Sequence, residues 1–483
     1  MKLSKTLGQQ FRDVCQEQAD EVAIYSEADN LTFSQVHAIV EAFTLQFQRH
    51  GVSQDSVVIV DANDILVSLA GCLAASYIGA SFAFSGERLR ADRTVNKTHL
   101  FAMGPSEAML QAGCIAIDEN WSPHLAFSKG RLDFDTLPEV DTSLPWMITT
   151  TSGSTGTAKI LALSQDVVST RCRSYSVDFK PRETVLASLF SASSRPFLQR
   201  ALACLINGGS LVEGQQIDFW RRSRVTVVVA SPLQAIDYMR DFPKGHKFPA
   251  LQAGGAKLKP GTIAELLEHF EVVYNAYGSS ETGRAFLNKF SHDENGGVAC
   301  EGVDIGSSIE IVDDLGKAVE MGEIGLVRIR NAQMADGYIG NPIASAAVFR
   351  NGWFYSGDKA KWGPSKELDV QGRDDDVINL GGIKIDANEV EFFIRAQDGV
   401  EEAVVFANPR KTVDPRLVAF VRLKPLTHQD DVLLKVAKAC TAKFTGYRRP
   451  EKFFPVDKLP MTESGKISRK MCEQMVLDKF DEA

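Results

Sequence analysis

Thr149-Thr150-Thr151-Ser152-Gly153-Ser154-Thr155-Gly156-Thr157-Ala158-Lys159 follows the apolar run 144–148 and is followed by Ile160-Leu161-Ala162-Leu163. The two apolar flanks read as strands joined by a short turn. The turn concentrates hydroxyls, two glycines and a lysine, the groups with which a loop wraps a polyphosphate through main-chain N–H donors, side-chain OH groups and one positive charge. The nucleotide-triphosphatase pattern G-x-x-x-x-G-K-[ST] does not fit, because Gly153 and Gly156 are too close and Ile160 stands where a metal-binding hydroxyl belongs; G-x-G-x-x-G is absent as well. A Ser/Thr/Gly-rich linker and an ordinary hairpin turn share this composition. The segment by itself therefore leaves a phosphate loop, a turn and a linker open.

Outward from it, the chain alternates helical and strand patterns. Residues 7–25 predict an amphipathic helix and then a strand at Val22-Ala23-Ile24-Tyr25. A second helix starts at Leu31-Thr32-Phe33-Ser34, with Ser34 expected as its N-cap and Val36, Ile39, Val40, Phe43 and Phe47 on one face. Val57-Val58-Ile59-Val60 is a continuous apolar strand. The uncharged stretch 65–86 is about a membrane's length, roughly 20 residues, but its serines and glycines divide it into a buried helix and a strand. Beyond the loop, helices over 165–175, 196–206 and 260–269 alternate with strands over 185–189, 225–230 and 272–276. This is the pattern of an α/β layer with a buried parallel sheet. From 302 to 330 it changes to short strands and turns, a β subdomain. Three consecutive carboxylates, Asp374-Asp375-Asp376, mark an exposed joint. The remaining residues predict a compact α+β unit.

Length and composition bound the answer. A chain of 483 residues is long enough for two or three domains, and 44% hydrophobic with 24% charged residues is ordinary for a globular protein. A formal net charge of −9 argues against nucleic acid or an anionic membrane as partner. The eight cysteines are scattered without a C-x-x-C pair, which fits free, mostly buried thiols in a reducing compartment, and a cytoplasmic location is expected. The N-terminal residues lack the apolar core of a signal peptide.

Four further clusters carry chemical groups. Tyr277-Gly278-Ser279-Ser280-Glu281-Thr282-Gly283 follows a strand, placing an aromatic ring, hydroxyls and a carboxylate where open α/β sheets bind ligands. Trp353-Phe354-Tyr355-Ser356-Gly357-Asp358 ends an aromatic stretch on an acceptor suited to ribose hydroxyls. Gly372-Arg373-Asp374 and Leu459-Pro460-Met461-Thr462-Glu463-Ser464-Gly465-Lys466-Ile467 complete the set. Each alone is equally a turn, a packed aromatic segment, a linker or a solvated lysine.

In this order and at these spacings, the five stretches resemble the adenylate-forming superfamily of acyl- and aryl-CoA synthetases, nonribosomal-peptide adenylation domains and firefly luciferase. The pattern T-S-G-[ST]-T-G-x-P-K is met by 151–159, with Ala158 for proline. Y-G-x-T-E is met by 277–281 with Ser280 for threonine, G-D by Gly357-Asp358, G-R-x-D-D-x-I by 372–378, and P-x-T-x-x-G-K by 460–466. The resemblance implies a large N-terminal domain, 1–373, of layered α/β subdomains plus a β subdomain. A small mobile α+β C-terminal lid, 374–483, would swing about a hinge at Asp374. It implies ATP and Mg²⁺, an acyl-AMP intermediate, and a thioester formed on CoA or on the phosphopantetheine of an acyl carrier protein.

By position, the resemblance implies that Thr151, Ser152, Gly153, Ser154, Thr155, Gly156 and Lys159 hold phosphates. Ser280 would touch the α-phosphate, Glu281 carry Mg²⁺, Tyr277 lie against adenine, and Asp358 and Arg373 bind ribose. Lys466 would bridge the attacking carboxylate and the α-phosphate, and Gly382 would flank the pantetheine tunnel. Asn379, where many members have lysine, departs from the pattern. The segment Leu189-Phe190-Ser191-Ala192-Ser193-Ser194-Arg195 lacks both the histidine of many CoA synthetases and the aspartate that holds an α-ammonium, which disfavours an α-amino acid. Phe190, Ser191, Phe197, Gly254 and Gly255 are the candidates to line an acyl pocket for an apolar or aromatic acid. Arg195 or Arg200 would instead pair with a second carboxylate or lie as ordinary helix arginines. Lys443, Arg448, Arg449 and Lys452 suit either the phosphates of CoA or an acidic carrier helix. The rival from another class, a non-catalytic nucleotide- or acyl-binding protein on the same fold, has no use for Lys159, Glu281, Asp358, Arg373 and Lys466 together.

Overall fold

The computed structural model describes residues 4–84, 98–118, 121, 132–151, 159–240, 242, 246–373, 377–380, 383–411, 415–425, 427–461 and 467–479. They divide into two compact units, Met1–Ser356 with Lys361–Asp369, and Gly357–Ala360 with Val370–Ala483. The fold is mixed α/β, a large N-terminal part and a smaller C-terminal one.

In the larger unit the described strands build two main sheets. One has six strands, in the spatial order Ile115–Ala116, Thr98–Ala102, Val57–Asp61, Ser81–Phe84, Pro145–Thr151, Lys159–Ser164, parallel except for the last. The other has nine strands. Its parallel centre runs from Phe270–Ser279 through Phe248–Gly254, Val227–Ala230, Val185–Ser188 and Ser210–Val212 to Val22–Tyr25, with antiparallel strands at both edges. The expected parallel layer is thus present twice, edged by antiparallel strands.

Helices Leu7–Glu17, Phe33–Arg49, Ile65–Ile78 and Arg195–Ile206 share one core with both sheets, including Ile24, Leu186 and Val229 from the larger and Val58, Phe82 and Met147 from the smaller. This placement explains the sequence of Ile65–Ile78, apolar on every side because it is covered on every side. Asp64 caps its first turn and Gly79, at φ 80°, ends it. In the strand Val57–Asp61, Val58 and Val60 enter that core while Val57 and Ile59 pack with Ala83 and Ile148 on the opposite face. Period-2 alternation with both faces covered is what an unbroken apolar strand means. No helix among the described residues is long and apolar enough to cross a membrane.

One expected detail is corrected. The helix Phe33–Arg49 is capped by Thr32, not Ser34: the Thr32 hydroxyl accepts from Gln35 N, and the Gln35 side chain accepts from Thr32 N. The glutamine three residues on closes a capping box only with Thr32.

The smaller unit has a sheet of Val400–Ala407, Leu417–Leu423 and Lys452–Pro455, with the first pair antiparallel and the second parallel. Helices Ala387–Arg395 and Gln429–Lys443 supply the core on one face, and Arg469–Lys479 the core on the other. The predicted hairpin is present as Val377–Leu380 paired with Ile383–Asp386. Arg469 fixes the start of the last helix: Nε donates to Val405 O at 3.0 Å and Nη2 to Glu391 Oε1 at 2.8 Å.

All eight cysteines are free thiols, seven buried and Cys300 half-buried. Burial pushes the thiols of Cys172, Cys440 and Cys472 up to about 12 and that of Cys300 up to about 11. Unfolded thiols ionise near 9.0 while these stay protonated in the fold. Their contribution to stability is therefore complete below that pH and is lost as the pH rises through the folded values. Denaturant midpoints should fall as the pH is raised past 9.0. At about pH 8, where the thiolate fraction controls labelling, a disulfide reagent should label Cys300 slowly in the native protein and the other thiols only after unfolding.

Candidate active site

The strands Pro145–Thr151 and Lys159–Ser164 pair antiparallel with Thr151 opposite Lys159, so residues 152–158 bridge a hairpin pinched at its base. Ser152, Gly153, Ser154, Thr155 and Gly156 lie outside the described residues, as do Asp374, Gly382 and Lys466. The segment holding Lys466 has a similar base: Met461 and Ile467 form an antiparallel bridge, and Ser468 N donates to Pro460 O at 3.0 Å.

The stretch 277–283 lies further into its strand than expected. The strand Phe270–Ser279 runs through Tyr277 and Gly278 and turns at Ser280-Glu281-Thr282 into Gly283–His292, with a bulge between Tyr277 and Gly278. The bulge re-aims the chain at the carboxyl end of the parallel array, beside Gly254, which pairs with Ala276. Ser279 Oγ accepts from Glu281 N and Thr282 N, and Gly283 takes φ 66°, tightening the turn. Tyr277 is half-buried and its hydroxyl bonds Ser356 Oγ at 3.1 Å.

Lys159 and Glu281, distant in sequence, are brought onto one side chain. Tyr338 donates its hydroxyl to Glu281 Oε1 at 2.7 Å, and the Lys159 ammonium lies 4.8 Å from the centre of the Tyr338 ring. Tyr338 is held there by main chain, since Ile339 N donates to Ile160 O and Ala335 N to Glu281 O, each at 2.8 Å. The Glu281 residue is buried, and its Oε2 receives no hydrogen bond from any described residue. No group of three or more His, Cys, Asp or Glu that could hold a metal ion exists among the described residues. A single carboxylate with one free oxygen fits Mg²⁺, which keeps its waters and takes phosphate oxygens instead of an all-protein cage.

Arg171 secures the same turn from below. Its Nε and Nη2 donate to Gln333 O at 3.0 and 2.8 Å, and Nη2 also reaches Ser280 O at 3.1 Å and Glu281 O at 3.3 Å. Burial, and then the neighbouring Arg195 guanidinium, push Arg171 down to about 9, so it stays cationic at neutral pH. Neither Tyr338 nor Arg171 was singled out from the sequence. Arg171 sits on the helix that follows the loop strand, and a buried arginine there carries no local signature.

The candidate acyl residues fall at the same end of the nine-stranded sheet. Phe190 is buried with the Arg200 guanidinium 5.3 Å from its ring centre. A Cβ at Gly254 would stand 3.1 Å from Arg200 Nη2. Gly255 turns at φ 96°. Ser191 is exposed and bonds Asn63 Oδ1 at 2.8 Å, whereas Phe197 belongs to the central core. Asp358 is half-buried on the strand Trp353–Trp362, and Arg373 ends the strand Leu368–Arg373. Of the basic residues near the C-terminus, Arg448 pairs with Glu389 while Lys443, Arg449 and Lys452 are exposed.

A lysine from one sheet and a carboxylate from the other thus meet at Tyr338, and comparison with known families gives the class. Residues 11–339 match the AMP-binding enzyme family and 389–466 the AMP-binding enzyme C-terminal domain, so the chain belongs to the adenylate-forming superfamily. It is 31% identical over 299 residues to a salicylyl-CoA synthase/salicylate adenylyltransferase of a Streptomyces species, a match spanning 58% of this chain and 53% of that one. It is 26% identical over 520 residues to a D-alanine–D-alanyl carrier protein ligase of Bacillus licheniformis, spanning 99% of this chain and 100% of the other. The chain thus spans about half the length of the first relative and all of the second. Among solved structures, ATP-bound MatB from Rhodopseudomonas palustris superposes with a TM-score of 0.78 at 18% identity, covering 99% of this chain and 100% of that one. The anthranilate CoA ligase AuaEII with anthranoyl-AMP gives 0.78 at 19% identity, covering 98% of each. At these identities the likeness carries the fold.

Replacing Tyr338 by phenylalanine removes the described donor to a buried carboxylate. The expected loss is about 1.5–3 kcal/mol, read from urea denaturation, with most of it absent when Glu281→Gln is already in place.

Proposed function

We propose that this protein is an AMP-forming acid–thiol ligase that activates a carboxylic acid with an apolar or aromatic body and transfers the acyl group to the thiol of CoA. The observation that carries the reading is the convergence of Lys159 and Glu281 on Tyr338 beside a hairpin loop of phosphate-binding composition. In the first half-reaction a carboxylate oxygen attacks the α-phosphorus of ATP, a new P–O bond forms, and the bond to the β-phosphate breaks to release pyrophosphate. In the second, the thiol sulfur attacks the acyl carbon, the C–S bond forms, AMP leaves and the thiol proton passes to solvent.

Phosphoryl chemistry of this kind needs positioning and charge stabilisation more than covalent help. Thr151, Ser152, Gly153, Ser154, Thr155, Gly156 and Lys159 hold the β- and γ-phosphates, and Ser280 the α-phosphate. Tyr277 lies against the adenine, and Asp358 and Arg373 hold the ribose. Glu281 would hold Mg²⁺, which when bound neutralises charge on the phosphates. Lys466 bridges the attacking carboxylate and the α-phosphate. In this reading residues 1–373 form the ATP- and acyl-binding domain and 374–483 a lid that turns at Asp374, with Gly382 leaving room for pantetheine. The full-length match to a carrier-protein ligase supports a second acceptor, the phosphopantetheine of an acyl carrier protein.

Pyrophosphate release from MgATP, measured over fatty, aryl and dicarboxylic acids with and without CoA, tests this. The expected result is release with one acid class, faster with CoA and reduced about 100-fold or more in Lys466→Ala. Release that CoA leaves unchanged but a phosphopantetheinylated carrier accelerates moves the acceptor to the carrier, and no release with any acid overturns the ligase reading.

A further inference from the structure

The helix Arg195–Ile206 carries two arginines into the candidate site, and neither meets a carboxylate. Arg200 is nine-tenths buried; its Nε donates to Gln252 Oε1 at 2.7 Å and its Nη1 to Pro196 O at 2.9 Å, both neutral acceptors. Nη2 donates to none of the described residues and stands over the bare Cα of Gly254, 3.1 Å from where a Cβ would be. Arg195, half-buried at the first turn of the same helix, forms no ion pair among the described residues.

Glu281 acts on Arg195, but no described carboxylate bonds Arg200. The nearest acid linked to Arg200 is Asp178, reached through Gln252. Asp178 already pairs with Arg284 Nη1 at 2.5 Å, both side chains being almost fully buried. Glu281 has Arg171 and Arg195 in its field, and Arg195 is depressed by its own burial and, in the other direction, held up first by Glu281. Asp178 is thus taken by Arg284 and Glu281 acts on Arg195 and Arg171, while no carboxylate among the described residues bonds Arg200. Arginines are almost never buried without a partner, because an uncompensated guanidinium loses its hydration for nothing. The missing negative charge has to come with what binds there.

The reacting carboxylate and the nucleotide phosphates account for charge near Glu281 and Arg195, where Lys159 also lies. They do not account for Arg200, which is tied to a different sheet from the Lys159 hairpin. Its free Nη2 opens over Gly254, with the ring of Phe190 on one side and Ala276 Cβ 4.0 Å from the Gly254 position. Small residues on two adjacent strands give the guanidinium its place above Gly254.

We propose that the acid activated here carries a second carboxylate, bound by Arg200 Nη2 over Gly254, so that the substrate is a dicarboxylic acid with an apolar or aromatic body. This rests on the ligase reading above and adds the substrate class. An exposed Nη2 and a carboxylate form a charge-assisted hydrogen bond, worth about 10- to 100-fold in binding.

The test is ATP–pyrophosphate exchange with matched pairs of acids, each dicarboxylic acid beside the monocarboxylic acid of the same chain or ring. The expected result is a kcat/KM at least about tenfold higher for one diacid than for its monoacid. That ratio should collapse in Arg200→Gln through a raised KM for the diacid with the KM for ATP unmoved, and partly return in Arg200→Lys. Because Arg200→Gln gives up two buried hydrogen bonds that also hold the helix, Gly254→Ala serves as the second variant: it keeps those bonds, crowds Nη2 and should lower the ratio as well. Monoacids exchanging as well as diacids, with a ratio indifferent to both variants, would overturn the second carboxylate and leave the ligase standing. Exchange with no acid at all would overturn the ligase reading and this inference with it.

Discussion

A guanidinium buried beneath a turn, with only carbonyl oxygens to receive it, is the contact on which the site is built. Arg171 satisfies three main-chain acceptors at once, at Ser280, Glu281 and Gln333, and so ties the turn after the strand Phe270–Ser279 to the segment that leads into Tyr338. A flexible side chain could not do this: the planar fork of arginine presents donors in fixed directions, and less freedom is lost per bond formed. Once the two segments are joined, Tyr338 has little choice of place. Its hydroxyl falls on Glu281 and its ring beneath Lys159. A cation on one sheet and a carboxylate on the other thereby share a single rigid support.

The two segments rich in hydroxyls, glycine and lysine are bounded alike. Each is closed at its base by main-chain pairing, Thr151 with Lys159 and Met461 with Ile467. The second base is also anchored through Arg469 to Glu391 and Val405. Glu391 shows what the anchoring costs, because burial raises it and the Arg469 charge lowers it, with burial the larger influence. Main-chain pairing at the ends of a segment fixes where it leaves and re-enters the scaffold.

Much of this was legible along the chain. The strands 57–60 and 81–84, the helix 65–78 and the hairpin 377–385 follow from apolar runs, caps and turn residues, all properties of neighbours in sequence. The motif set was legible because its spacing is preserved even where single residues change, as at Ala158 and Ser280. Where local reading went astray, a longer interaction had decided. Ser34 is as good a cap as Thr32 in isolation, and only the return bond from Gln35 separates them. The strand expected to stop at Ala276 continues through Ser279 because Gly283–His292 pairs with it.

What the residues alone established is therefore the layered α/β class, the family and the order of the chemical groups, because each depends on periodicity or spacing over a few tens of residues. Three-dimensional packing decided which groups meet. Arg171 and Gln333 are 162 positions apart, Glu281 and Tyr338 57, Arg200 and Gln252 52. None of these pairs leaves a trace in its own neighbourhood, since a hydrogen bond constrains the two partners and not the residues beside them. The same holds for the charge balance around Arg200. A sum of charges over a buried volume exists only after folding has removed the water that would otherwise screen each one.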